Sequence, residues 1–169
     1  MKKIIYRGGM MQNVSPIKDK QLQKVADLLA HFLADTYALY LKTQNFHWNV
    51  RGPHFYSLHK MFEEQYIELS QAIDEIAERI RALGCLTPAS FSQFAQLTSI
   101  KDEKGDQTAE QMVQKLAKDH GVLMQSATDI IPKAQHAHDE GTADLLIQRL
   151  KSHEKTIWML QSSMSFSKH

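Results

Sequence analysis

NFHWNVRGPHFYSLHKMFEEQYIELSQAIDEIAERIRALG, residues 45–84, decides how this chain folds. Gly52-Pro53 breaks any helix that enters from the left, because proline lacks an N–H and pushes the residue before it out of helical geometry. To the right of the break, Leu58, Phe62, Ile73, Ile76, Ile80 and Leu83 form an apolar stripe at helical spacing. Gly84 then supplies a C-terminal stop, so one long helix is predicted from about His54 to Leu83.

Working outward, Leu22, Val25, Leu29, Phe32, Thr36 and Tyr40 step by three and four, which predicts an amphipathic helix that reaches about His47. Residues 1–18 hold Gly8-Gly9 and a polar run with no sustained period, and read as an N-terminal arm outside a domain spanning 19–169. Downstream, residues 85–107 are rich in Ser, Thr, Asp, Lys and Gly, yet Ser90 with Gln93 forms a capping-box pattern ahead of Phe91, Phe94 and Leu97. One short helix is therefore expected inside a long connection. Thr108 with Gln111 repeats the pattern before Met112, Leu116, Leu123, Ala127 and Ile130, a third long helix that Pro132 should kink or end. Thr142 is the expected cap of a fourth, carrying Leu146, Leu150, His153, Ile157, Leu160 and Met164. Four long amphipathic helices with one long crossover between the second and third suggest an all-α, ferritin-like four-helix bundle with one crossover, the alternative on periodicity alone being a generic helical bundle with a long loop.

At 169 residues the chain suits one core, and 43% hydrophobic against 23% charged residues excludes a disordered chain. The formal net charge is +1, so nothing in the total demands nucleic acid or anionic lipid. Cys85 is the single cysteine and closes no intrachain disulfide, which points to a reducing compartment and a cytoplasmic location. Arg7 and the glycines after it interrupt any signal-peptide core, and no apolar run approaches the roughly 18 residues of a membrane span.

The long helix also carries chemistry. His59 and Glu63, then Asp74 and Glu78, are each four apart. At about 100° per residue the four fall at roughly 0°, 40°, 60° and 100°, one continuous stripe. Glu63 and Asp74 are nevertheless about 16 Å apart along the axis, too far to share an ion within one subunit. The pattern is palindromic about a point between Glu68 and Leu69. Two copies packed antiparallel about a two-fold axis there would set His59 against the partner's Glu78 and Glu63 against the partner's Asp74, making two identical split sites. His47, seven residues past Tyr40, can turn to the same place. Mixed nitrogen and carboxylate donors without thiolate suit Fe(II), Mn(II) or Zn(II), and redox iron is the most productive reading. A single His/Glu pair of this kind is ordinarily a solvated helix face. His54 reads as a surface loop histidine, and His153 and Trp158 as core or subunit-contact residues.

HWNVRGPHFYSLHKMFEEQY, the downstream Asp74 with AERIRALG, and TADLLIQRLKSHEKTIWML together resemble the Dps family, the DNA-binding proteins from starved cells, which are mini-ferritins. The resemblance implies a hollow homododecamer that oxidises Fe(II), preferably with hydrogen peroxide, and stores the ferric mineral. It implies metal ligands His47, His59 and Glu63 from one subunit and Asp74 and Glu78 from another, with Glu63 standing where the family often has Asp. Trp48 resembles the site-adjacent tryptophan, able to intercept oxidising radicals. Asp139, Glu140 and Asp144 are candidates for an acidic iron-entry pore, although carboxylates at a helix start are also favoured by its dipole. Members that bind DNA commonly use a basic terminal arm, and here Lys2, Lys3, Arg7 and Lys18 are the candidates for non-specific phosphate contacts multiplied over many subunits. The alternative to an iron enzyme is thus a nucleoid-compacting protein acting through those arms.

Overall fold

A computed structural model describes residues 20–103 and 106–164. These form α1 (Lys20–Asn49), α2 (Phe55–Ala82), the short α3 (Phe91–Leu97), α4 (Ala109–His136) and α5 (Glu140–Ser163), with no strand among the described residues. The expected all-α bundle is the observed one. α1 pairs with α2 and α4 with α5 as hairpins, α1 also lies on α4 and α2 on α5, and α3 packs against α1. Lys42 of α1 meets Asp119 of α4, while Gln21 and His136 at their opposite ends line one groove, so these helices run antiparallel. Glu68 and Arg79 of α2 meet Arg149 and Asp139 on the other hairpin, and that pair is antiparallel too. α2 and α4 therefore run the same way, which is why the chain needs a long crossover to return.

The stripes read from the sequence are the buried faces: Leu29, Phe32, Phe62, Ile76, Leu116 and Leu146 are all sealed in one core. Burying each such side chain contributes about 1.5–3 kcal/mol. The crossover is anchored by polar groups on the outer side of α1. Asp35 accepts from Ser99 N at 2.6 Å, Thr98 Oγ1 at 2.8 Å and Ser99 Oγ. Buried Lys42 bonds Asp119 at 2.5 Å and faces Glu103 at 3.6 Å, and Lys115 bonds Glu103 at 2.5 Å. Burial by itself would raise the Glu103 carboxyl, but the Lys115 hydrogen bond and the Lys42 charge hold it below its usual range.

Both expected short-range caps are present. Thr108 Oγ1 accepts from Gln111 N at 3.2 Å while Gln111 Oε1 accepts from Thr108 N at 2.9 Å. Ser90 Oγ accepts from Gln93 N at 3.3 Å, but Gln93 reaches back to Ala89 N rather than Ser90 N. Of the two outcomes expected at Pro132, the helix does not end there: α4 continues to His136, with the proline exposed and its neighbours Ile130 and Ala134 held in the core. One expectation needs correction. The α5 cap is Asp139, not Thr142: Asp139 Oδ1 accepts from Thr142 N at 3.0 Å. α4 closes with His138 at φ +54°, with His138 N bonding Gln135 O at 2.9 Å and Asp139 N bonding Ala134 O at 2.9 Å. That left-handed residue turns the chain at once and brings Asp139 to the helix start.

Candidate metal centre

The α1–α2 hairpin creates the site. α1 ends at Asn49, Gly52 adopts φ +104°, and Phe55 N bonds Gly52 O at 3.0 Å, so the chain reverses within a few residues. A side chain at Gly52 would be strained in that conformation. The reversal lays the last turn of α1 on the first turn of α2, and the imidazoles of His47 and His59 stack with ring centroids 3.8 Å apart and planes at 21°. His47 Nδ1 lies 2.8 Å from the His59 carbonyl oxygen, and His59 Nδ1 lies 2.9 Å from the His47 carbonyl oxygen. A carbonyl only accepts, so both Nδ1 atoms carry the proton and both Nε2 atoms keep a lone pair. In the neutral rings this reciprocal lock selects one tautomer, with Nε2 as the acceptor. Tyr66 meets His47 edge-on at 5.2 Å and Phe55 lies 5.1 Å from His59, which limits rotation of the rings.

Glu63 follows His59 by one turn. Its Oε2 accepts from Lys60 Nζ at 2.7 Å, and that bond, opposed by partial burial and aided by the Lys60 charge, holds the carboxyl below its usual range. The carboxylate is therefore available to a cation without prior deprotonation. Asp74 and Glu78 are exposed farther along α2. Among the described residues of one chain, no three His, Cys, Asp or Glu side chains converge to hold an ion. His47, His59 and Glu63 stand together near the start of α2, and Asp74 and Glu78 stand apart from them along it, as the helical rise requires. Trp48 is 64% exposed, and Phe55, Tyr56 and Ile67 are exposed with it.

The remaining candidates are scattered. Asp139 is buried and accepts from Thr142 N and, at 2.6 Å, Thr142 Oγ1, and it is paired with Arg79. Its carboxylate is occupied as a cap and ion-pair partner and faces no solvent. Glu140 and Asp144 are exposed on α5. Lys2, Lys3, Arg7 and Lys18 lie outside the described residues. His54 is exposed just before α2, and His153 is buried, whereas Trp158 is 65% exposed and is no core residue. Sequence reasoning missed Lys60 and Tyr66, although Tyr66, seven residues after His59, repeats its helical position and carried a signal.

The chain matches the ferritin-like domain over residues 26–165. It is 38% identical over 143 residues to DNA protection during starvation protein 2 of Bacillus anthracis, spanning 85% of this chain and 98% of that one. It is 39% identical over 140 residues to the DNA protection during starvation protein of Brevibacillus brevis, spanning 83% and 94%. In three dimensions it superposes with a TM-score of 0.84 and 34% identity on the crystal structure of a Dps protein from Vibrio cholerae O1, itself a member of a broad superfamily of ferritin-like diiron-carboxylate proteins, covering 92% of this chain and 98% of that one.

Proposed function

The chain belongs to the Dps family of ferritin-like proteins, and from that premise we propose that it oxidises Fe(II), preferably with hydrogen peroxide, and stores the ferric product in a hollow homododecamer, so protecting DNA from oxidative damage. The observation that carries the reading is the reciprocal lock of His47 and His59, which leaves two Nε2 lone pairs beside the Glu63 carboxylate. The palindrome on α2 completes each centre, with Asp74 and Glu78 coming from a second subunit across a two-fold axis.

Iron is substrate here. His47, His59 and Glu63 bind Fe(II), and Lys60 releases Glu63 as the cation arrives. Two Fe(II) each give up one electron, the O–O bond of one hydrogen peroxide breaks, and two protons complete two waters, so no hydroxyl radical is formed. The hard carboxylate oxygens of Glu63, Asp74 and Glu78 favour the Fe(III) product over the reactant. Trp48, next to His47, intercepts oxidant that escapes. Glu140 and Asp144 serve iron entry, with Asp139 shaping the start of α5 on which they stand. Residues 19–169 form the cage-building domain and act in the cytoplasm. No described helix is long and apolar enough to cross a membrane.

The test is anaerobic loading with Fe(II) followed by a stoichiometric pulse of hydrogen peroxide, reading ferric absorbance and iron that co-elutes with protein of dodecamer size. Fast oxidation with retained iron supports the proposal; oxidation no faster than a protein-free control sinks it. DNA retardation by the full chain, lost on deletion of residues 2–18 while iron oxidation persists, would add the arm residues Lys2, Lys3, Arg7 and Lys18 as a non-specific DNA contact.

A further inference from the structure

The bundle interior contains four side chains that an apolar core does not call for: Gln65 of α2, His120 of α4, and Arg149 and His153 of α5, all more than nine-tenths buried. His120 Nδ1 and His153 Nδ1 are 2.8 Å apart, with ring centroids at 5.0 Å. Two ring nitrogens at that distance share one proton. One imidazole donates its Nδ1–H and keeps an Nε2 lone pair; the other accepts and keeps an Nε2–H. Neither Nε2 meets a hydrogen-bond partner among the described residues, and the same is true of both amide atoms of Gln65 and of Arg149 Nε.

These atoms lie at one height in the bundle. Arg149 is clamped to Glu68 through both terminal nitrogens, Nη2 at 3.1 Å from Oε2. α2 and α5 are antiparallel, so Gln65, three residues before Glu68, comes level with His153, four residues after Arg149. Arg149 precedes His153 by one turn of α5, on the same buried face, which puts it beside the pair. Five buried polar atoms left dry would forfeit free energy comparable to the net stability of a whole domain. Their chemistry selects what satisfies them. The Gln65 amide, Arg149 Nε and one imidazole offer N–H donors, while the Gln65 carbonyl and the other imidazole offer acceptors. A ligand that both donates and accepts is required, small enough for a closed core and without the positive charge that Arg149 would repel.

We propose that Gln65, His120, Arg149 and His153 enclose an internal water site, in which bound water links the free edges of the histidine pair to the Gln65 amide and Arg149 Nε. With water at both ends the pair is a neutral proton relay. A proton taken up at one Nε2 releases the Nδ1 proton of that ring to the facing Nδ1, and the second ring returns its Nε2 proton to water. Both tautomers are reversed, and no net charge is created. The site stands behind α2, separate from the His47/His59 face, and does not rest on the iron reading.

Water-17O relaxation dispersion on the full-length protein, compared with Gln65→Leu, tests the site. The expected result is at least one long-lived water per chain that the variant loses, with iron oxidation unchanged. An unchanged long-lived population in a folded variant overturns the proposal. If Gln65→Leu does not fold, a high-resolution crystal structure of the unaltered protein decides. Density within about 2.7–3.2 Å of Gln65 and an imidazole Nε2, without anomalous signal, supports water. A dry contact, or an anomalous metal peak between the two Nδ1 atoms, overturns it.

Discussion

The protein contains two histidine pairs, each joining two helices and each hydrogen-bonded through Nδ1, yet chemically they are opposites. His47 and His59 donate their Nδ1 protons to each other's backbone carbonyls, so in the neutral rings both Nε2 atoms keep a lone pair, on the side of the hairpin where Glu63 stands. His120 and His153 meet each other, so they share a proton and present one donor and one acceptor inside the core. Burial, reinforced by Arg149, pushes His120 down to about 3 and His153 well below its ordinary range. What the Nδ1 atom meets, rather than the helical position of the residue, decides which ring nitrogen keeps a lone pair.

Breaking the first pair should have the largest effect. His47→Ala with His59→Ala is expected to slow peroxide-driven Fe(II) oxidation on the order of 100-fold, at least the loss typical of damaged metal-site support, while circular dichroism shows an intact helical fold. Breaking the second pair should exchange the outcomes. His153→Ala is expected to cost about 3 kcal/mol through a cavity and an orphaned His120, measured by denaturant unfolding, with oxidation per folded chain unchanged.

Acid sharpens the contrast. In the fold His120 binds its proton far more weakly than its ordinary 6.5, so the unfolded chain takes up protons first. The stability associated with the neutral pair is whole above about pH 6.5 and drains as pH falls toward about 3. A thermal-unfolding series between pH 7 and 4 should therefore fall steeply for the wild type and less steeply for His120→Leu with His153→Leu. Equal slopes would show that this pair does not govern acid sensitivity. The smallest expected effect lies at a fifth histidine, His138, whose positive φ costs a side chain about 1 kcal/mol that glycine avoids. His138→Gly should raise the unfolding midpoint by a few degrees without altering either pair.

The same contrast marks how far the sequence could be read. α1 to α5 followed from apolar periodicity, and the Ser90 cap and the Thr108 capping box from side chains three residues apart. The α5 cap lies at Asp139 rather than Thr142 because Asp139 reaches its position through a left-handed turn at His138, a conformation that histidine adopts more often than most residues but still uncommonly. Whether Pro132 ends its helix could not be read locally, because the cost of a proline is set against packing that only the assembled bundle supplies. His47 and His59 could be grouped from helical phase and an intervening Gly-Pro break. Their reciprocal bonds to each other's carbonyls could not, since those depend on how closely two helix ends approach.

By itself the sequence determined the helices, their buried faces, the long crossover and the palindrome on α2, because each is a repeat of about 3.6 residues or a contact within one turn. Only the tertiary structure decided which imidazole nitrogen is free, that Arg79 and Asp139 tie α2 to the start of α5, and that His120 meets His153 across 33 residues of chain. Those are distances between separate helices, set by how side chains interlock in one core, and no local pattern encodes them.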